Sequence, residues 1–154
     1  MSEPLELSVT RYIDAPREQA WRAWIDRLTD WWAPKPWTTE IVEHDMRPGG
    51  RSALVMRGPD ANGNASESAM EGVFLEVDPA RRVVFTNAFK AGWIPQDPFM
   101  IGLFGFADEG SGTRYTAAAR HWTEEAYRQH LAMGFDQGWN VVADQFKAIA
   151  EGLA

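Results

Sequence analysis

The stretch from Thr123 to Leu153 constrains this chain more than any other. Phe135, Trp139, Val142, Phe146, Ile149 and Leu153 follow one another in alternating steps of four and three residues. An α-helix turns once in about 3.6 residues, so those steps set all six on one stripe. Asp136, Gln137, Asn140, Asp144, Lys147 and Glu151 occupy the rest of its surface. A helix this one-sided must lie on something apolar. The spacing predicts one long amphipathic helix, broken or kinked near Gly134, lying across a sheet built by the residues before it.

Those residues read as strands. Leu5, Leu7 and Val9 alternate with Glu6, Ser8 and Thr10, which predicts a strand over 5–13. Asp14 and Pro16 suit a helix start, and Ala20, Trp21, Trp24, Ile25 and Leu28 give a buried face to a helix over 16–28. Pro34 and Pro36 rule out a regular helix through Trp31, Trp32 and Trp37. That segment is expected to begin with a helical turn and then wall a pocket or cover the core edge. Strands follow over 38–46, 51–57, 68–77, 82–89, 99–107 and 113–121, separated by turns rich in Gly, Pro and Asp. Val83, Phe85, Asn87 and Phe89 are expected on one face of their strand. Thr123 is the expected N-cap of the final helix, with Glu124 and Glu125 favouring its dipole. Short turns between successive strands imply an antiparallel meander, and the closing helix makes the fold class α+β. With 154 residues, no repeat and no linker, a single domain over 1–154 is expected.

Composition excludes several functions. The net charge is −7, and no cluster of Lys or Arg offers a surface to nucleic acid or to an anionic membrane. No cysteine is present, so disulfides and thiolate chemistry are out. No signal-like pattern opens the chain and no long apolar run crosses a bilayer, so the expected setting is cytoplasmic, without membrane insertion. Eight Trp and eight Phe remain to be explained. They can build a core or line an apolar cavity, and the two readings are compatible. Ala117 and Ala119 beside Tyr115, Phe104 and Phe106 leave space on an inward face, which favours a cavity.

A set of motifs in order then identifies a family. Ile13-Asp14-Ala15-Pro16, Trp21, Trp24 and the run Trp31 to Trp37 come first. Arg47-Pro48-Gly49-Gly50, Met56-Arg57-Gly58-Pro59-Asp60 and Val84-Phe85-Thr86 follow. Gly112-Thr113-Arg114-Tyr115, Met133-Gly134-Phe135 and Gly138-Trp139 complete the set. From about Leu7 to Leu153 the chain resembles the bacterial relatives of the C-terminal domain of the activator of the heat shock protein 90 ATPase, in the SRPBCC or START-like superfamily. The resemblance implies a helix-grip (START-like, Bet v 1-like) fold. In it a curved antiparallel sheet of six or seven strands grips a long C-terminal helix, one or two short helices follow strand one, and an apolar cavity lies between sheet and helix. Members bind hydrophobic small molecules, cyclise polyketides or act as co-chaperones. Ser52 departs from the pattern, which usually has a large apolar residue there; facing inward, it would enlarge the cavity or add a hydroxyl to it.

Chemistry is sparse. His44, His121 and His130 show no metal-ligand spacing, and no metal or cofactor is expected. No nucleophile elbow, phosphate loop or dinucleotide fingerprint occurs. Glu40, Glu43 and Glu71 are expected on the outer face. Strand parity places His121 with Tyr115 and Ala119, whereas His130 reads as a solvent-exposed helix residue. Ser52, Asn87, Tyr115 and His121 are the polar groups expected to reach the cavity, and His121, Tyr115 and Asn87 are the catalytic candidates if there is catalysis. The expected ligand-binding residues are Trp37, Leu54, Met56, Phe85, Trp93, Phe104, Phe106, Tyr115, Phe135 and Trp139. Gly134 either bends the helix at an entrance or allows close packing. Three functions stay open: binding of a small hydrophobic or aromatic molecule, a cyclase- or hydrolase-like enzyme on an aromatic substrate, and a chaperone-linked module. A homodimer through a sheet edge or the Trp-rich segment is also open.

Overall fold

The computed structural model describes residues 5–152. The chain order is β1 (Leu5–Ile13), α1 (Arg17–Asp26), α2 (Leu28–Trp31), β2 (Thr38–His44), β3 (Arg51–Pro59), β4 (Ala65–Asp78) and β5 (Arg82–Thr86). A two-stranded excursion, β6 (Phe89–Lys90) and β7 (Ile94–Pro95), precedes β8 (Met100–Glu109) and β9 (Gly112–His121), and α3 (Glu124–Ala132) and α4 (Phe135–Gly152) close the chain. Seven strands form one antiparallel sheet in the order β1-β9-β8-β5-β4-β3-β2. Bulges in β2 between Ile41 and Glu43 and in β4 between Phe74 and Glu76 curl it. Its inner face holds α4, which is the helix-grip arrangement.

The final helix is two helices. Gly134 breaks it with φ of +90°, and a Cβ there would meet nothing within 4 Å. The glycine therefore serves the backbone turn, and close packing is not its purpose. Thr123 caps α3, its Oγ1 accepting from Ala126 N at 3.1 Å. In α4 the deepest positions are Phe135, Ala143, Phe146 and Ala150, with Trp139, Val142 and Ile149 partly buried beside them. Two alanines thus stand among the deepest positions, and the buried face is shifted from the stripe of large residues. Leu153, the last member of that stripe, lies outside the described residues.

Polar side chains of α4 tie it down. Asp144 Oδ1 and Asn140 Oδ1 accept from Arg11 of β1, both at 2.7 Å. Gln145 Nε2 donates to Trp31 O and Ala33 O, and its Oε1 accepts from Lys35 N. Glu151 Oε2 accepts from Asp14 N at 2.7 Å, so Asp14 is engaged by α4 through its backbone, and Pro16 takes the N-cap position of α1 without a side-chain bond.

Strand β5 is shorter than the alternation 82–89 predicts. Thr86 Oγ1 accepts from Ala88 N and donates to Met100 O, which turns the chain out of the sheet. Asn87 and Phe89 thus leave the face they were expected to share with Val83 and Phe85. On the outer face Glu40 pairs with Arg57, and Glu43 and Glu71 pair with Arg51, as their strand parity predicts.

Candidate functional site

The space between sheet and α4 is filled at one end and open at the other. At the filled end Phe146 meets Trp31, Tyr115 and Phe106 at ring-centroid distances of 4.8, 4.5 and 6.3 Å. Trp21 and Trp24 stack beside them. At the other end lies a cavity of about 280 Å³. Its floor is Met56 of β3, Met70 of β4, Met100 and Phe104 of β8, and Tyr115 and Ala117 of β9. Phe135, Trp139, Val142 and Ala143 of α4 form the roof. Trp31, Trp32 and Pro34 close one side, and His130, Met133 and Gly134 close the other. Met133 is 68% exposed, so the cavity reaches the surface at the α3–α4 break.

The local causes are readable. Register sets Ala117 opposite Phe104 on one side and Val9 on the other, so a methyl stands where a larger side chain would fill the space. Ala119 and Gly102 pair further along, but Phe85 fills that gap: a Cβ on Gly102 would lie 2.3 Å from its ring. Three methionines give the floor an adaptable surface. Gln145 anchors the segment carrying Trp31 to Pro34 against α4.

Of the residues expected to bind a ligand, Met56, Phe104, Tyr115, Phe135 and Trp139 border the cavity. Leu54 and Phe106 are buried in the packed core, and Phe85 lies near-parallel behind Phe104 at 6.1 Å. Trp37 and Trp93 are elsewhere. Trp37 covers Gly58, whose missing side chain makes room for the indole. Trp93 is 56% exposed and packs near Phe89 and Gly49. Ser52 is buried on the inward face without reaching the cavity. Asn87 is consumed by the loop it closes: its Oδ1 accepts from Phe99 N and Met100 N, and its Nδ2 donates to Asp97 O. Its amide oxygen and one amide hydrogen are thus spent on holding the loop, and Asn87 does not border the cavity.

His130 is buried, against the solvent exposure expected of it. It is 8% exposed, borders the cavity, and its Nδ1 lies 2.8 Å from His121 Nε2. His121 is also buried, and its Nδ1 lies 3.1 Å from Leu5 O. The break at Gly134 resets the helical phase, so His130 is not bound to the solvent-exposed position expected of it. The usable signal was the Met133-Gly134 pair, which marks two separate helices. Burial pushes the pKa of His130 down to about 4, and the neighbouring His121 adds to the shift. Burial also raises the Tyr115 phenol well above its ordinary value. The Trp24 indole beside that phenol opposes the shift, yet Trp24 Nε1 has no hydrogen-bond partner among the described residues. His44 packs on Phe74 and Trp24 with both ring nitrogens buried and unpartnered, and burial lowers its pKa. Among the described residues no cluster of His, Asp or Glu could hold a metal ion, and no helix is long and apolar enough to cross a membrane.

Residues 14–151 match the model of the family described as Activator of Hsp90 ATPase homolog 1-like protein. The chain belongs to this family. A crystal structure of a protein from Nitrosomonas europaea is 32% identical, with a TM-score of 0.82 over 97% of this chain and 96% of that one. A Mycobacterium smegmatis protein is 28% identical, with a TM-score of 0.78 over 95% and 90% of the two chains. An Aeromonas hydrophila protein is 24% identical, with a TM-score of 0.69 over 97% and 95%, a likeness of fold. No curated protein sequence matches the chain. For this member of the Activator of Hsp90 ATPase homolog 1-like family, fold and cavity together make a framework suited to ligand binding.

Proposed function

We propose that the protein binds a small hydrophobic or aromatic molecule between the sheet and α4. The observation that carries this is the cavity itself, at about 280 Å³ and walled by Trp, Phe and Met side chains. An apolar cavity of about 150 Å³ accepts a benzene ring, so this one suits roughly two rings. Apolar walls supply affinity, and the few polar groups set orientation.

Native mass spectrometry of the purified chain, followed by denaturing extraction, tests the proposal. A co-purifying apolar molecule is expected. Ala143→Leu, which adds an isopropyl group at the roof, should abolish that adduct without lowering the melting temperature. An adduct that persists unchanged in this variant would place the molecule elsewhere and refute the proposal.

One observation favours a second reading. His130 and Tyr115 share the cavity, and a buried imidazole can act as general base in a cyclase- or hydrolase-like reaction on an aromatic substrate. Turnover that is lost in His130→Gln while affinity is retained would favour it over simple binding.

A further inference from the structure

His121 and His130 form a chain of hydrogen bonds whose direction is dictated at one end. Leu5 O can only accept, so His121 Nδ1, at 3.1 Å, carries a hydrogen. Both rings are buried, at 7% and 8% exposure. A neutral imidazole has one N–H, so His121 Nε2 is bare and accepts. The hydrogen in the 2.8 Å contact then belongs to His130 Nδ1. His130 Nε2 is left as a bare acceptor on a ring that borders the cavity. The downward shift of the His130 pKa, to about 4, keeps it so at neutral pH.

The ring cannot turn away easily. Phe99 and Phe135 each lie at 5.0 Å and Trp139 at 5.8 Å from it. The rings of Phe104 and Trp139 on the cavity wall are near-parallel, at 7°. His130 Nε2 has no protein partner among the described residues, so a donor offered by a ligand in the cavity gains one net hydrogen bond there, worth about 1 kcal/mol.

We infer that the ligand is a two-ring aromatic molecule bearing a hydroxyl, and that this hydroxyl donates to His130 Nε2. The inference rests on the binding function proposed above. His130 is then a specificity-determining residue, and His121 is a positioning residue that sets its tautomer.

Calorimetric titration of the full chain at neutral pH with β-naphthol and with its methyl ether tests the inference. β-Naphthol should bind about tenfold more tightly, the worth of one net hydrogen bond. His130→Leu should equalise the two, and His130→Gln, whose amide oxygen can accept, should keep part of the preference. Equal affinities in the wild type overturn the inference and leave the binding function standing, whereas no binding of either probe overturns both. A preference that survives in His130→Leu also overturns it, since the hydroxyl would then meet another group. Nitrogen NMR of the imidazole rings needs no variant: both should carry hydrogen on Nδ1, and β-naphthol should perturb His130 Nε2. A hydrogen found on His130 Nε2 overturns the inference.

Discussion

Gln145 is the side chain that joins the roof of the cavity to its wall, and replacing it by Met tests that role. Its Nε2 donates to Trp31 O at 3.1 Å and to Ala33 O at 2.9 Å, both part-buried. Its Oε1 accepts from Lys35 N at 3.0 Å in an exposed setting. Methionine keeps the length and apolar stem while deleting all three bonds. Each part-buried bond contributes about 1 kcal/mol, and the exposed one less because water replaces it, so the loss is about 2–3 kcal/mol. For a chain of this size that lowers the melting temperature by about 5–10 °C. Gln145→Glu should be worse than Met, because it can still accept from Lys35 N but sets a carboxylate against two carbonyl oxygens. Thermal unfolding followed by far-ultraviolet circular dichroism reads both variants. A Met variant within about 1 °C of wild type, or a Glu variant more stable than Met, would refute the assignment.

Other consequences are equally direct. The folded-state pKa of His130, about 4, lies below the ordinary histidine value of 6.5, so the unfolded chain binds more protons between them. Its contribution is complete above about pH 6.5 and fades as pH falls towards 4: about 2 kcal/mol should be lost from pH 7.5 to pH 5 in denaturant titrations, and His130→Gln should flatten that slope. His44→Leu removes two buried, unpartnered nitrogens and should leave stability unchanged or raise it by about 1 kcal/mol, measured by urea unfolding. Gly72→Ala would set a Cβ 2.1 Å from Thr86 O, a backbone atom, and should abolish soluble expression, whereas Gly105→Ala meets nothing within 4 Å and should fold.

The relation between sequence and site is uneven for identifiable reasons. Alternation and helical spacing are local properties, and they place the strands of the main sheet, the Thr123 cap and the closing helix with its break, but not the end of β5. The cavity floor was legible in part because parity along β8 and β9 points Phe104, Tyr115 and Ala117 inward together. The choice among tryptophans was not legible. Trp31, Trp32 and Trp37 lie within one short segment, and only the path through Pro34 and Pro36, with the Gln145 anchor, sends the first two to the cavity and the third onto Gly58. Asn87 was misassigned because β5 ends at Thr86, where a side-chain hydroxyl competes for the backbone.

By itself the sequence determined which segments are helix or strand, which faces are apolar, and the family, because each is written in residues close together or in motifs in order. Only the tertiary structure decided the site. The His121–His130 pair depends on the end of β9 meeting the end of α3, and the cavity depends on Ala117 of β9 and Ala143 of α4 bordering the same space. Such coincidences belong to the packing of separate elements, which no periodicity along one of them encodes.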